Sequence, residues 1–133
     1  MKKVKGLIIM LLISLSLFGM TACDGENEKV PNYEQITAEQ SKSIMDTEKD
    51  YVIIDVRTEE EFAEGHIENA ILIPEYEIAE RAEKELPDKD TLILVYCRSG
   101  RRSKIASEEL VKLGYTNVKE FGGIIDWPYE VVK

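Results

Sequence analysis

Short runs of consecutive apolar residues alternate with helix-like segments along the chain from residue 34 onwards. The apolar runs are rich in β-branched residues, which is typical of strands buried on both faces, and they lie at 51–56, 70–73, 91–96 and 118–121. Strands that alternate with helices in this way predict a parallel sheet. We therefore expect an α/β fold, with an open parallel sheet and helices packed on both of its faces.

Capping signals predict where the first two helices begin. Threonine followed three residues later by glutamine or glutamate is the spacing of a capping box, and it occurs at 37–40 and at 58–61. We expect the first helix to run to about residue 45. The second helix should reach residue 64, because Gly65 is a typical helix stop.

Two further helices are predicted from the spacing of their apolar residues. Residues 75–85 have a helical pattern, and a turn at Pro87–Asp90 follows them. Residues 103–113 form an amphipathic helix that ends at Gly114. The side chains expected to face the core from this last helix are Ile105, Ala106, Leu110 and Leu113.

The first 22 residues have the layout of a secretory signal peptide. Three lysines precede an apolar stretch from Leu7 to Phe18, and small residues follow it up to Ala22. The apolar stretch is shorter than the ~20 residues that a membrane span needs. We therefore expect this segment to be removed and to form no part of the fold.

Cys23 follows these small residues directly, and Met20-Thr21-Ala22-Cys23 resembles the lipobox of bacterial lipoproteins, with methionine in place of the usual leucine. The resemblance implies lipid on Cys23 and an extracytoplasmic protein anchored to a membrane. The chain then divides into a lipoprotein signal peptide (1–22), a lipidated cysteine with a flexible tether (23–33) and one folded domain (34–133). An ordinary signal peptide cleaved near Ala22 and an uncleaved anchor remain alternatives.

Acidic residues outnumber basic ones, with 26 against 17 and a net charge of −9. Removal of the signal peptide would take away three of the bases and no acid. Nucleic acid is therefore an unsuitable partner, because neutralising phosphates requires clustered Lys and Arg. Electrostatic adhesion to an anionic membrane is also disfavoured, so membrane attachment depends on the lipid at Cys23. We expect a monomer.

Cys97 is the candidate nucleophile. The only other cysteine is Cys23, so lipid on Cys23 leaves Cys97 without a disulfide partner, which suggests a reactive thiol. Cys97 also ends the strongest predicted strand, where open α/β sheets bind their ligands.

Positive charge surrounds this cysteine on an otherwise acidic chain. Arg98, Arg101 and Arg102 follow it, and Gly100 permits a tight backbone turn. Backbone N–H groups of such a loop, and the positive end of the next helix, stabilise the thiolate that acts as nucleophile. The same groups stabilise a bound anion, for which the planar fork of arginine is well suited.

The segment from Cys97 to Ser103, CRSGRRS, resembles the active-site loop of single-domain rhodaneses. Other segments match the family in order and spacing: Ile54–Arg57, Glu61–Phe62, Gly65–Ile67, Ala70, Ile73–Pro74, Gly114–Tyr115, Val118, Gly122–Gly123 and Trp127. The resemblance covers about residues 34–131, so the folded domain 34–133 is expected to be a rhodanese-like domain. It implies a rhodanese-like open parallel sheet of about five strands with helices on both faces.

The resemblance also implies sulfur transfer in two steps. The Cys97 thiolate would take a sulfane sulfur from thiosulfate or a similar small anion as a persulfide. It would then pass this sulfur to a thiol or cyanide acceptor. The family carries out this chemistry without a metal or an organic cofactor.

Substrate binding is assigned by the resemblance to Arg98, Ser99, Gly100, Arg101 and Arg102. Their backbone would form the anion cradle. The side chains of Arg98 and Arg101 would meet the sulfonate of the donor, or the acceptor. Arg102 is the last residue of the loop. For this residue, contacts with the rest of the fold are the alternative to substrate binding.

Support of the loop is assigned to Asp55, Arg57 and Ser103. A plain ion pair at the end of the strand is the alternative for Asp55 and Arg57. His66 is the only histidine, and the resemblance places it in a turn with a structural role rather than a catalytic one.

Two other functions share parts of this pattern. Phosphatases with a rhodanese-like fold have arginine after a cysteine and five further residues, but here that position is Ser103, so the pattern fails. A partner-loaded persulfide carrier or a redox-sensing module fits the same loop and is the alternative to a sulfurtransferase. Saturable use of thiosulfate distinguishes the enzyme from the carrier.

Overall fold

A computed structural model describes residues 32–133, so the predicted signal peptide, Cys23 and most of the predicted tether lie outside the described residues. Within these residues five strands form one sheet: β1 (Glu34–Gln35), β2 (Tyr51–Asp55), β3 (Ile71–Leu72), β4 (Leu92–Cys97) and β5 (Val118–Gly123). The spatial order is β1-β5-β4-β2-β3, and every neighbouring pair is parallel. The predicted open parallel sheet of about five strands is confirmed.

Helices cover both faces of this sheet, as predicted. They are α1 (Ala38–Thr47), α2 (Glu59–Glu64), α3 (Ile78–Glu85) and α4 (Arg101–Lys112), and 3-10 turns occur at Glu75–Glu77 and Ile124–Asp126. One apolar cluster lies between the sheet and α3 with α4, and it includes Ile78 and Leu110. A second cluster lies on the opposite face, and Ile44 of α1 and Trp127 both pack against it. No helix among residues 32–133 has both the length and the apolar character needed to cross a bilayer.

Both predicted capping boxes are present. At α1 the Thr37 hydroxyl accepts from the Gln40 N–H at 3.0 Å, and the Gln40 side chain accepts from the Thr37 N–H at 2.9 Å. At α2 the same exchange joins Thr58 and Glu61. The starts of these helices were therefore predictable, because each is determined within four residues of the sequence. Helix α1 ends at Thr47, two residues beyond the predicted end.

The sheet departs from the predicted strands at its edges. Strand β1 was not predicted, because Glu34 and Gln35 are exposed polar residues with no apolar pattern, although they pair with β5 and Glu34 forms an ion pair with Lys119 of that strand. Strand β3 is shorter than the predicted 70–73. Tyr33, which the sequence assigned to the tether, packs against the core.

Helix α4 begins at Arg101 rather than at the predicted Ser103. The prediction that Ile105 faces the core is wrong, since this side chain is 41% exposed. The buried side of α4 consists of Ser103, Ala106, Ser107 and Leu110. Two of these are serines, so a search for apolar residues alone misplaced the buried side.

Candidate active site

Cys97 is the last residue of β4, in the middle of the sheet, and its side chain is only 1% exposed. The chain then turns through Gly100, whose φ of +105° lies in the left-handed region that glycine readily adopts. The Gly100 N–H donates to the Cys97 Sγ at 3.0 Å. Helix α4 starts at the next residue, so the positive end of its dipole is directed at the sulfur.

The end of β5 packs against the backbone of this loop. Cys97 lies opposite Gly123, where the register between β4 and β5 shifts. A Cβ atom at Gly123 would lie 1.9 Å from the Arg98 carbonyl oxygen, which is far inside contact distance. The Arg98 carbonyl also accepts from the Ile125 N–H at 3.2 Å. The loop therefore rests on bare backbone at a position that only glycine can occupy.

The three predicted arginines have different surroundings. Arg98 and Arg101 are exposed, and so is Ser99, which follows Arg98. Neither arginine forms an ion pair with another residue of 32–133. Arg102 instead binds the carboxylate of Glu61 on α2 through two hydrogen bonds, of 2.7 and 3.0 Å. Arg102 is thus tied into the fold, the alternative that its place at the end of the loop left open.

The Glu61–Arg102 ion pair is stable as a charged pair at neutral pH. The hydrogen bond from Arg102 lowers the pKa of Glu61 to about 2. The same bond raises the pKa of Arg102, and the charges of Cys97 and Asp55 add to that effect. Arg102 therefore keeps a fixed positive charge close to the sulfur while its hydrogen bonds are directed to α2.

Asp55 and Arg57 form a buried ion pair beside the site. Arg57 donates to both carboxylate oxygens of Asp55 and also to the Gly65 carbonyl, at 2.7 Å. The Tyr96 hydroxyl donates to Asp55 at 2.7 Å and accepts from the Ile67 N–H at 3.1 Å. Burial, and then the charge of Asp55, raises the pKa of Tyr96 well above its usual range. The pair thus supports the strand that carries Cys97 and the segment before β3, and its hydrogen bonds do not reach the Cys97 loop itself.

Ser103 connects the nucleophile to a carboxylate that the sequence analysis missed. Its hydroxyl lies 3.3 Å from the Cys97 Sγ and 2.6 Å from an oxygen of Glu120 on β5. Glu120 is only 2% exposed. The available signal was strand periodicity: Glu120 shares a face of β5 with the buried Val118, so alternation alone directs its side chain inward.

His66 has a structural environment. Its ring stacks on Phe62 with 3.6 Å between centroids, and its Nδ1 lies 2.9 Å from the Phe62 carbonyl oxygen. Its backbone exchanges two hydrogen bonds with Val132. These contacts join α2 to the end of the chain and place the ring in no contact with the sulfur.

Residues 37–128 match the protein family described as "Rhodanese-like domain". The "Thiosulfate sulfurtransferase PspE" of Escherichia coli strain K12 is 42% identical over 80 residues, which cover 60% of this chain and 77% of that protein. The "Putative sulfur carrier protein YrkF" of Bacillus subtilis strain 168 is 33% identical over 102 residues, covering 76% of this chain. The match spans 54% of YrkF, about half its length.

A solved structure has the same fold. It is described as "rhodanese with anions from E. coli", and it matches with a TM-score of 0.59 and 41% sequence identity. The alignment covers 62% of this chain and 98% of that one. The fold is therefore shared with a protein that is similar in sequence as well as in shape.

Proposed function

Because this chain belongs to the rhodanese-like domain family and is a sulfurtransferase, we propose that it moves a sulfane sulfur from thiosulfate or a similar donor through a persulfide on Cys97. One observation carries this proposal. The Cys97 Sγ accepts a backbone N–H at the start of a helix, beside two arginines that have no ion-pair partner among residues 32–133. Such a site stabilises a thiolate and attracts a small anion.

In the first step the Cys97 thiolate attacks the terminal sulfur of thiosulfate. A sulfur–sulfur bond forms to Cys97 while the bond to the sulfonate sulfur breaks, and its electron pair leaves with sulfite. The near-complete burial of Cys97 favours a donor whose reactive atom is terminal and narrow, as the sulfane sulfur is. The persulfide keeps one negative charge, which the Gly100 N–H and the helix end stabilise.

In the second step an acceptor attacks the outer sulfur of the persulfide. With cyanide, a carbon–sulfur bond forms, the persulfide bond breaks, and its electrons return to Cys97 as the thiolate. Thiocyanate leaves, and the enzyme regains its starting state. Splitting the transfer in this way is the general advantage of an activated nucleophile.

Steady-state kinetics test this function directly. Thiocyanate formation should saturate with thiosulfate, and double-reciprocal plots at several cyanide concentrations should give parallel lines, since the donor product leaves before the acceptor binds. The alternative function is a carrier that only a partner protein loads, and the resemblance to the putative sulfur carrier YrkF favours including it. A carrier would show no saturable use of thiosulfate.

Replacing Arg101 by alanine should impair donor use far more than stability. We expect kcat/KM for thiosulfate to fall roughly 10- to 100-fold, because a hydrogen bond to a charged group contributes about 1.5–3 kcal/mol. The melting temperature should barely change, since Arg101 is exposed. Lys112→Ala removes an exposed cation at the opposite end of α4 and is the matched control. A large fall in melting temperature for Arg101→Ala would reassign this residue to the fold.

Attachment to a membrane outside the cytoplasm through lipid on Cys23 is a further part of the proposal. It is supported by the order of lysines, apolar residues, small residues and cysteine at the start of the sequence. Cells grown with a radioactive fatty acid should label the wild-type protein, and Cys23→Ala should remove the label. Equal labelling of the two proteins would exclude a lipid on Cys23.

A further inference from the structure

Arg102 differs from the other arginines of the Cys97 loop because a carboxylate holds it in place. Glu61 on α2 accepts hydrogen bonds from Arg102 Nη1 at 2.7 Å and from Nη2 at 3.0 Å, one on each carboxylate oxygen. Both side chains are only 24% exposed. Two parallel bonds of this kind fix the orientation of a guanidinium as well as its distance. Arg98 and Arg101, by contrast, are exposed and have no ion-pair partner among residues 32–133.

Arg102 is also close to the sulfur. It is the second residue of α4, the helix that starts directly after the Cys97 loop. The hydrogen bond to Glu61 raises the pKa of Arg102, and the charge of Cys97 adds to this effect, so the guanidinium and the sulfur are close enough for their charges to interact. A guanidinium released from Glu61 would therefore be available as a third cation to an anion bound at Cys97.

Glu61 is the one glutamate of α2 that pairs with a cation in the described part of the chain. The helix carries three others, at positions 59, 60 and 64, and they form no ion pair with residues 32–133. The helix cap orients Glu61, since its Oε1 accepts from the Thr58 N–H at 3.4 Å and from the Thr58 hydroxyl at 3.3 Å. The carboxylate that holds Arg102 is thus fixed by its own helix.

The number of free guanidinium groups determines which anions such a site prefers. Thiosulfate is a dianion with three sulfonate oxygens. An organic thiosulfonate such as methanethiosulfonate has the same terminal sulfur, but it is a monoanion, because a methyl group replaces one of the oxygens. A third guanidinium that reached the additional oxygen would favour the dianion. A guanidinium kept away from the donor leaves the two kinds of donor on more equal terms.

We propose that Glu61 sets the charge preference for the sulfur donor by holding Arg102 on α2, so that Arg98 and Arg101 bind the donor and organic thiosulfonates are accepted beside thiosulfate. Glu61 is a positioning residue, since it acts on the donor through Arg102. With methanethiosulfonate, the Cys97 thiolate attacks the terminal sulfur, the sulfur–sulfur bond of the donor breaks, and its electron pair leaves with methanesulfinate. The inference rests on the proposed function and adds the class of donor to it.

Glu61→Gln tests the proposal because it releases Arg102 and keeps the helix cap. Gln40 occupies the same position in the capping box of α1. An amide offers one acceptor oxygen, and its NH2 group faces the second N–H of the guanidinium without accepting from it. We expect the ratio of kcat/KM for thiosulfate to kcat/KM for methanethiosulfonate to rise about tenfold, the effect of one hydrogen bond between charged groups. Glu60→Gln removes an exposed neighbouring carboxylate and should leave the ratio unchanged.

Arg102→Ala separates the guanidinium from the charge of Glu61. This variant alone should lower the same ratio by less than about threefold, because only a screened charge is lost. Adding Glu61→Gln to it should again change the ratio by less than about threefold. A tenfold fall for Arg102→Ala alone would make Arg102 a donor ligand in the native protein and overturn the proposal. An equally large rise for Glu61→Gln with and without Arg102 would also overturn it.

Protection of Cys97 from alkylation gives a second measurement that needs no sulfur donor. The protein from the full-length gene, in neutral detergent, is treated with uncharged iodoacetamide, and mass spectrometry follows the Cys97 peptide separately from Cys23. Sulfate and methanesulfonate, which differ by the same exchange of oxygen for methyl, are the protecting anions. In Glu61→Gln sulfate should protect at about tenfold lower concentration and methanesulfonate at nearly the same one; an equal change for both would contradict the proposal. Absence of thiosulfate turnover in the native protein would exclude the proposed function and leave this measurement valid.

Discussion

Replacing Cys97 by serine is expected to abolish sulfur transfer and to leave the fold intact. A serine hydroxyl is not ionised at neutral pH and cannot form a persulfide, so turnover should fall on the order of 1,000-fold or more. The side chain is buried at the end of β4, and serine has nearly the same shape as cysteine. The melting temperature should therefore change little.

Intact-protein mass spectrometry after incubation with thiosulfate measures this effect without a coupled assay. The native protein should gain the mass of one sulfur atom and lose it when cyanide is added. Cys97→Ser, which retains Cys23, should show no gain. Sulfur on the serine variant would assign loading to another residue, and a native protein that gains none would favour the carrier that only a partner loads.

Replacing Asp55 by alanine is expected to cause the largest loss of stability, about 3–5 kcal/mol in the free energy of unfolding. The change leaves the Arg57 guanidinium buried without its carboxylate and removes the acceptor of the Tyr96 hydroxyl. Since small domains unfold with only ~5–15 kcal/mol, this is a large share of the total. Equilibrium unfolding in urea, followed by circular dichroism, gives the value.

A matched control uses a carboxylate that also forms an ion pair but lies at the surface. Asp46 pairs with Lys42 one turn earlier on α1, where both side chains are accessible to water. Asp46→Ala should change the free energy of unfolding by no more than about 0.5 kcal/mol. If Asp55→Ala were as mild as this control, the buried pair would not be a structural anchor of β2 and β4.

Prediction from the sequence succeeded where structure is determined locally. The two capping boxes lie within four residues each, and the strand ending at Cys97 is a single apolar run. Strand β1 was missed because it is joined to β5 by backbone pairing and by an ion pair between Glu34 and Lys119, which lie 85 residues apart in the sequence. A short edge strand of exposed polar residues has no periodic pattern to detect.

The site shows the same division. The position of Cys97 and the charge around it follow from one contiguous segment of sequence. The different surroundings of the arginines cannot be predicted from that segment, because Arg102 binds Glu61, which lies 41 residues away in the sequence. Glu120 was missed for a related reason, since its partner Ser103 lies on another element and only the packing of α4 on β5 joins them.

Glu61 takes part both in the N-terminal cap of α2 and in the ion pair with Arg102, so these two features are coupled. One of its oxygens caps α2 by accepting from Thr58 and also binds Arg102. When the first turn of this short helix frays, Glu61 moves and its hydrogen bonds to Arg102 are weakened. Fraying of α2 and release of the Arg102 guanidinium are therefore parts of one local opening. A fluctuation of α2, which is far from Cys97 in the sequence, therefore changes the mobility of the Arg102 guanidinium near the sulfur. A molecule that binds α2 and prevents its fraying would keep this guanidinium in its position.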